Sequence, residues 1–246
     1  MEVRALIMAA GKGSRMKSDL PKVLNLLDGE PFVKRVADAL QILQISQIGI
    51  IVSSATETGI RECLGNSFEY IPQKERLGTG HAVMCAEDWL RDFEGELVVV
   101  VGDAPFITQE VIINLVKKHQ EQNNVCTLLS AVWKDPPPYG RIIRNQDGKV
   151  SKIVEEKDAS NEEIQIKEAN SSHYCFRYPE LKKALSEISF DNAQNEYYLS
   201  DVIEIFIREG KPVEAVPISN PIITAGINTQ EELVEFKNRL KEFPNK

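Results

Sequence analysis

The sequence is poor in cysteine, has no excess of positive charge and contains no long apolar run, and each shortage narrows what the chain can be. Among its 246 residues there are four cysteines, Cys63, Cys85, Cys126 and Cys175, none in a C-x-x-C pair. Most have apolar neighbours, so they read as reduced, mostly buried thiols of a cytosolic protein rather than as disulfides or zinc ligands. Acidic residues outnumber basic ones by 37 to 29, for a formal net charge of −8. That balance excludes the broad basic surface of a general nucleic-acid binder, yet it leaves room for a nucleotide, which needs only a few well-placed cations. No stretch approaches the roughly 18 apolar residues of a membrane span. The opening Met1-Glu2-Val3-Arg4 lacks the basic region and small-residue cleavage site of a signal peptide. Neither nucleic acid nor membrane is therefore expected as a partner. Internal repeats and low-complexity segments are also missing.

What is present is a globular composition, 42% hydrophobic and 27% charged, long enough for one α/β domain with a small appendage. Strand-like and helix-like segments alternate. Residues 3–8 read as a buried strand. Pro31 stands at a helix start, with Phe32, Val33, Val36, Ala37, Leu40 and Leu43 at helical spacing. Residues 48–52 and 68–71 are the next strands, separated by a short helix near Ile60. The segment 79–93 is predicted as a helix, with Thr79 as its cap. The unbroken, mostly β-branched run 97–101 suits a strand covered on both faces. A helix over 108–122 and a strand over 125–132 follow. Such alternation implies right-handed crossovers and a mostly parallel sheet flanked by helices, with ligands at the carboxyl ends of its strands. The rhythm changes after Trp133, which itself is expected in the core at a strand end. A stiff Pro136-Pro137-Pro138 loop is succeeded by a hairpin of 141–144 and 149–154 around Asn145-Gln146-Asp147-Gly148. A strand near 166–176 and helices near 179–188 and 197–209 make this half α+β. The alternating charges from Glu231 onward predict a closing helix. The expected organisation is thus one domain, with a nucleotide-binding half over 1–133, a sugar-binding half over 134–228 and a closing helix over 229–246.

The loop Met8-Ala9-Ala10-Gly11-Lys12-Gly13-Ser14-Arg15 follows the first strand. Two glycines allow close backbone approach and turn successive N–H groups toward an anion. Lys12, Arg15, Lys17 and Lys22 concentrate positive charge in an acidic chain, as a polyphosphate would require. The third glycine of a dinucleotide-binding loop is replaced by Met16, and no Walker motif is present. Taken alone, the loop is also compatible with a solvated glycine turn. Pro21 constrains the backbone beside Lys22, which could hold that lysine against phosphate.

The segment 6–22 resembles the signature of sugar-nucleotide pyrophosphorylases, L-x-x-A-A-G-x-G-[ST]-R-M…P-K. Gln73-Lys74-Glu75-Arg76-Leu77-Gly78-Thr79-Gly80-His81-Ala82, Gly102-Asp103-Ala104-Pro105, Tyr139-Gly140-Arg141-Ile142, Ile153-Val154-Glu155-Glu156-Lys157-Asp158-Ala159 and the block 192–201 complete the set in order. Together they look like the uridylyltransferase half of the bacterial bifunctional UDP-N-acetylglucosamine pyrophosphorylase/glucosamine-1-phosphate acetyltransferases. The resemblance implies a Rossmann-like, GT-A-like nucleotide-diphospho-sugar transferase fold. It also implies attack of a sugar 1-phosphate on the α-phosphorus of UTP, with Mg²⁺ as cofactor. Arg15 and Lys22 would be catalytic, through their charge. Met8, Ala9, Ala10, Gly11, Gly13, Lys22, Gln73, Gly78, Thr79 and Asp103 would bind the nucleotide, with Gly78 leaving room for the uracil ring. Gly140, Glu155, Asn170 and Tyr197 would bind the sugar, and Asp103 and Asn228 would hold the metal. For Asn228 the competing role is a helix N-cap paired with Glu231. His81 is expected to be structural and His119 exposed. The β-helix domain of the bifunctional proteins is missing, so no acetyltransferase activity is expected. Two places depart from the family pattern. Asn170-Ser171-Ser172 stands where Asn-Thr-Gly is usual, and Gln194-Asn195-Glu196 where Gln-Gly-Glu is usual. Both fall in the sugar-facing half. They keep open a different sugar 1-phosphate, such as glucose 1-phosphate, and the chain could also be a silent nucleotide-sugar sensor.

Overall fold

The computed structural model describes residues 1–11, 13, 16, 18, 20–42 and 45–242. In chain order the strands are β1 (Val3–Met8), β2 (Leu26–Leu27), β3 (Glu30–Pro31), β4 (Ile45–Val52), β5 (Glu69–Pro72), β6 (Glu96–Val101), β7 (Cys126–Val132), β8 (Arg141–Arg144), β9 (Val150–Val154), β10 (Glu168–Arg177) and β11 (Val213–Ile218). The helices are α1 (Phe32–Leu40), α2 (Glu57–Leu64), α3 (Thr79–Met84), α4 (Gln109–Glu121), α5 (Tyr178–Leu185), α6 (Asp201–Arg208) and α7 (Gln230–Glu242). The main sheet runs β11-β7-β10-β6-β1-β4-β5 and is parallel except for β10, which pairs antiparallel with both β6 and β7. The change of rhythm after Trp133 therefore does not end the sheet. Only the hairpin β8–β9 leaves its main path, attached through β10. No helix among the described residues is long and apolar enough to cross a membrane.

The mixed sheet is buried on both faces, which the unbroken β6 run requires. Leu97 and Val99 face a core shared with Val83, Leu181, Val202 and Phe206, from α3, α5 and α6. Val98 and Val100 face the opposite core, with Val33, Val36, Ile112 and Leu115 from α1 and α4. Each aliphatic side chain so buried contributes about 1.5–3 kcal/mol. A third cluster joins Trp133, Phe236 and Ile227, and it seats α7 against the end of β7. Trp133 is thus in the core, as expected.

Five details differ from the expectations. The helix over 79–93 stops at Met84, because the amides of Ala86 and Glu87 donate to Val83 and Met84, three residues back, and the chain winds on in tighter turns. Those turns still direct Ala86, Leu90 and Phe93 into the core. Thr79 is the first helical residue rather than the cap, which is Gly78. His119 is fully buried, not exposed. It continues the stripe Ile112, Leu115 and Val116 at helical spacing, and that stripe packs on the sheet. Its Nε2 lies 2.8 Å from Glu96 Oε2, and its Nδ1 lies 3.1 Å from Thr127 Oγ1. Strand β11 was not anticipated. Pro217 is tolerated in it because β11 is an edge strand whose outer side needs no donor. The helix expected through Leu43 ends at Leu40, and Leu43 itself lies outside the described residues.

Candidate active site

The loops at the carboxyl ends of the parallel strands converge beside Met8. Its partners across the sheet are Ile51 and Val101, and Gly102 N donates to Met8 O at 3.0 Å. Ala9 N donates to Ile51 O at 3.0 Å, and Ala9 and Ala10 are buried, so the first turn of the loop is part of the scaffold. The two glycines then differ. Gly13 has φ +66°, and a Cβ there would stand 2.1 Å from Lys22 Cβ. Gly11 is exposed, and a Cβ there would meet none of the described residues within 4 Å. Packing within the chain explains the first glycine but not the second, as expected where a ligand approaches the backbone. Lys12, Ser14, Arg15 and Lys17 lie outside the described residues, so the role expected for Arg15 has no structural counterpart here.

Lys22 opens a 3-10 turn, Lys22–Leu24. The turn is tied down by Asn25, whose Nδ2 donates to the carbonyls of Pro21 at 3.2 Å and Lys22 at 3.1 Å. The Lys22 ammonium forms an ion pair with Asp103 Oδ2 and donates to Asn228 Oδ1 at 2.7 Å. Three of the expected residues, from loops after β1, β6 and β11, thus meet at one point. Asp103 is fixed from behind, since its carbonyl accepts from Ile227 N at 2.9 Å and a side chain on Gly226 would stand 3.0 Å from its Oδ1. The helix-capping role considered for Asn228 falls to its neighbour. Thr229 Oγ1 accepts from Glu232 N at 3.1 Å, and Glu232 Oε2 accepts from Asn228 N at 2.6 Å. The Asn228 side chain is thereby turned toward Lys22. One carboxylate oxygen and one amide oxygen converging on a single cation are hard donors of the kind Mg²⁺ takes.

The segment expected to read a base forms one wall. Gln73 Nε2 donates to Gly78 O at 3.1 Å and lies 3.2 Å from His81 Nδ1. This contact engages the His81 ring within the wall. Gly78 has φ +106°, and a Cβ on it would stand 2.5 Å from Tyr197 O and 2.8 Å from Tyr197 N. The missing side chain therefore makes room for the Tyr197 main chain. Around it, Tyr197 N donates to Leu77 O at 2.7 Å, Gly80 N donates to Tyr197 O at 2.8 Å, and Leu199 N donates to Thr79 Oγ1 at 3.0 Å. The segments expected on the base side and on the sugar side are thus bonded to each other, a link that no local pattern announces.

Beside this junction, and sharing Thr79 and Leu199 with it, lies a narrow cavity of about 120 Å³, lined also by Met8, Glu155, Ser172, Tyr174 and Tyr198. Glu155 sits under Gly140, whose Cβ would come within 3.2 Å of its Oε1, and it accepts from Ser200 Oγ at 2.7 Å. Burial pushes the Glu155 carboxyl above its ordinary range, the Ser200 bond opposes this, and Asp158 and Glu196 push it further up. Asn170 stands behind the cavity. Its N donates to Gly140 O at 2.8 Å, and its Nδ2 donates to Tyr174 Oη at 2.6 Å. The Tyr197 ring lies outside the lining, between His81 and Phe190, while Tyr198 lines it. Both departures from the resembled pattern occupy left-handed backbone, Ser172 at φ +59° and Asn195 at φ +52°. In each case the family's usual glycine has the conformational freedom that this backbone favours. Sequence reading missed Asn25, Thr229 and Ser200, which fix Lys22, Asn228 and Glu155. Each is a small polar residue bonded to a neighbour in the fold, and only Thr229, followed three residues on by Glu232, carries a visible capping signal.

A larger groove of about 880 Å³ runs at the other end of the sheet, past Gln41, Ser46 and Phe68, and has no titratable side chain among its lining residues. The buried set Glu96, His119 and Cys175 lies at the amino end of β6, with the imidazole engaged by Glu96 and Thr127. Neither joins the convergence at the carboxyl ends.

Residues 4–220 match the family profile described as Nucleotidyl transferase. The bifunctional protein GlmU of Clostridium beijerinckii is 44% identical over 241 residues, which is 98% of this chain and 52% of that protein. The bifunctional protein GlmU of Bacillus subtilis is 43% identical over 242 residues, 98% of this chain and 53% of that protein. The chain spans about half the length of these curated relatives. Among solved structures, a UDP-glucose pyrophosphorylase complexed with UDP-glucose superposes with a TM-score of 0.78 at 15% identity, over 98% of this chain and 99% of that one, so the two share a fold. With that fold, the match over most of its length and the convergence of Lys22, Asp103 and Asn228 at the strand ends, the chain belongs to the nucleotidyl transferase family.

Proposed function

We propose that the chain transfers a uridylyl group from UTP to a hexose 1-phosphate, with N-acetylglucosamine 1-phosphate the first candidate, giving a UDP-sugar and pyrophosphate. The observation that carries the reading is the meeting of Lys22 with Asp103 and Asn228 beside the open backbone of Gly11. An oxygen of the sugar phosphate, already an anion at neutral pH, attacks the α-phosphorus, and the bond to the β-phosphate oxygen breaks. Such a step needs alignment and charge neutralisation rather than a general base. Lys22 and, from the sequence, Arg15 neutralise phosphate charge. Met8, Ala9, Ala10, Gly11 and Gly13 shape the phosphate loop. Asp103 and Asn228 would hold Mg²⁺, which supplies further neutralisation of the phosphate oxygens when bound.

For the base, Gln73 Oε1 and Gly78 N have no hydrogen-bond partner among the described residues. An acceptor and a donor side by side suit the N3–H and carbonyl edge of uracil. In this reading Thr79 and Tyr197 position the two walls, Glu155 accepts hydrogen bonds from sugar hydroxyls, and Gly140 and Asn170 support it. Residues 1–133 then serve the nucleotide, 134–228 the sugar and 229–246 close the site. A second reading, a smaller sugar such as glucose 1-phosphate, is favoured by one observation: the Ser172 side chain lines the sugar cavity. The test is pyrophosphate release with Mg²⁺ across sugar 1-phosphates and the four common nucleoside triphosphates. Release with UTP and one or two hexose 1-phosphates is expected. No release from any combination would remove the enzymatic reading.

A further inference from the structure

The same lysine that the proposed chemistry turns toward phosphate is here engaged by both oxygens that would ligate the metal. We propose that Lys22 is a surrogate cation: in the free protein its ammonium occupies the divalent cation's place between Asp103 and Asn228, and it leaves for the nucleotide's phosphates when the metal and nucleotide arrive together. The inference rests on the reading of Asp103 and Asn228 as metal ligands.

The geometry supports this in three ways. First, the ammonium pairs with Asp103 Oδ2 and donates to Asn228 Oδ1 at 2.7 Å, so one cation satisfies both oxygens. Second, the contact is sheltered, with the Lys22 and Asp103 side chains only 13% and 20% exposed, so the pair is weakly screened. Third, the backbone is shaped around it. Gly13 has no side chain where one would collide with Lys22 Cβ, and Asn25 holds the carbonyls of Pro21 and Lys22, on either side of the Lys22 Cα. A single carboxylate cannot neutralise both an ammonium and a divalent cation at hydrogen-bond range. The two cations therefore compete for Asp103 until an anion takes up the ammonium. A nucleoside triphosphate supplies that anion on the side of Gly11. Through Asp103, Lys22 makes tight binding of the metal conditional on the nucleotide. Its role toward the metal is that of a positioning residue.

The test is titration of Mn²⁺ into the full chain, read by the paramagnetic resonance of free Mn²⁺, for the wild type and Lys22→Met, with and without UTP. Methionine keeps the aliphatic stem and removes the charge. Without UTP, Lys22→Met is expected to bind Mn²⁺ about tenfold to a hundredfold more tightly, the worth of one charge-assisted hydrogen bond. With UTP present the order should reverse, because the variant has lost a phosphate contact. A lysine that merely supports the fold would weaken binding in both conditions. Equal or weaker Mn²⁺ binding by Lys22→Met without UTP overturns the proposal, and Lys22→Gln provides the same reading should the methionine variant fail to fold. Asp103→Asn separates the two levels. If it leaves Mn²⁺ affinity unchanged in the wild-type background, the assignment of the ligands fails and the inference falls with it. If it abolishes binding while Lys22→Met changes nothing, only the inference fails.

Discussion

Replacing Gly78 with alanine adds one carbon at the point where the base-side and sugar-side segments touch. The new Cβ would stand 2.5 Å from Tyr197 O, 2.8 Å from Tyr197 N and 2.9 Å from Glu196 Cβ. The first two obstacles are main chain, which cannot rotate away. Alanine at φ +106° adds about 1–2 kcal/mol of backbone strain, and the overlap adds about 1–3 kcal/mol. If the segments part instead, the bonds from Tyr197 N to Leu77 O and from Gly80 N to Tyr197 O are lost, at about 1 kcal/mol each. Separation and overlap are alternatives, so the expected loss is about 3–4 kcal/mol. For a chain of this length that lowers Tm by roughly 6–16 °C. The kinetic signature is more specific. The junction supports both walls, so KM for UTP and KM for the sugar 1-phosphate should rise together. Thermal unfolding and initial rates over a grid of both substrates measure this. A Gly78→Ala protein with unchanged Tm and unchanged KM values would show that the junction is not what requires glycine here. A rise in the UTP value alone would return the position to a direct uracil contact.

Other perturbations probe different parts of the argument. Lys22→Ala should lower turnover roughly 10²–10³-fold while leaving circular dichroism unchanged; near wild-type turnover would remove Lys22 from the chemistry. His119→Ala leaves the buried Glu96 carboxyl without the imidazole and should reduce stability to urea by about 2–5 kcal/mol, whereas a loss well under 1 kcal/mol would mean the pair is immaterial. Asp201 is raised from the usual 3.8 to about 6 by burial, with Glu155, Glu204 and Asp158 adding to it. The native state therefore keeps a proton that the unfolded chain has released, and this residue subtracts stability as pH rises from about 4 to 6. Because Asp201 is partly exposed, Asp201→Asn should add only about 1 kcal/mol at pH 7 and flatten the pH dependence in that window, measured by urea midpoints from pH 4 to 7. Ser172→Gly relieves a left-handed serine, worth about 1 kcal/mol, and opens the cavity proposed to take the sugar. Its kcat/KM for N-acetylglucosamine 1-phosphate should rise relative to glucose 1-phosphate, and an unchanged ratio would exclude Ser172 from sugar selection.

Local pattern was enough for much of this protein. The β-branched run of β6, the stripe of α1 as far as Leu40 and the Asn145-Gln146-Asp147-Gly148 hairpin follow from side-chain period and turn chemistry within a few residues, and the structure has them. The loop from Met8 to Lys22 pointed to phosphate, whereas the metal role of Asp103 came from the family resemblance rather than from local pattern. What sequence alone misjudged depended on partners far along the chain. His119 was read as polar and exposed, yet its place on the α4 stripe put it against Glu96 and Thr127. Gly78 was read as room for a ring, yet the obstacle beside it is Tyr197, 119 positions later. Asn228 had two open roles, and Thr229 took the helix cap, which turned Asn228 toward Lys22, 206 positions away. Periodicity and turn preference arise from sterics between near neighbours, so they are written in short stretches. Which distant side chains meet is set by strand order, and only the antiparallel insertion of β10 between β6 and β7 decided which loops would face one another across the site.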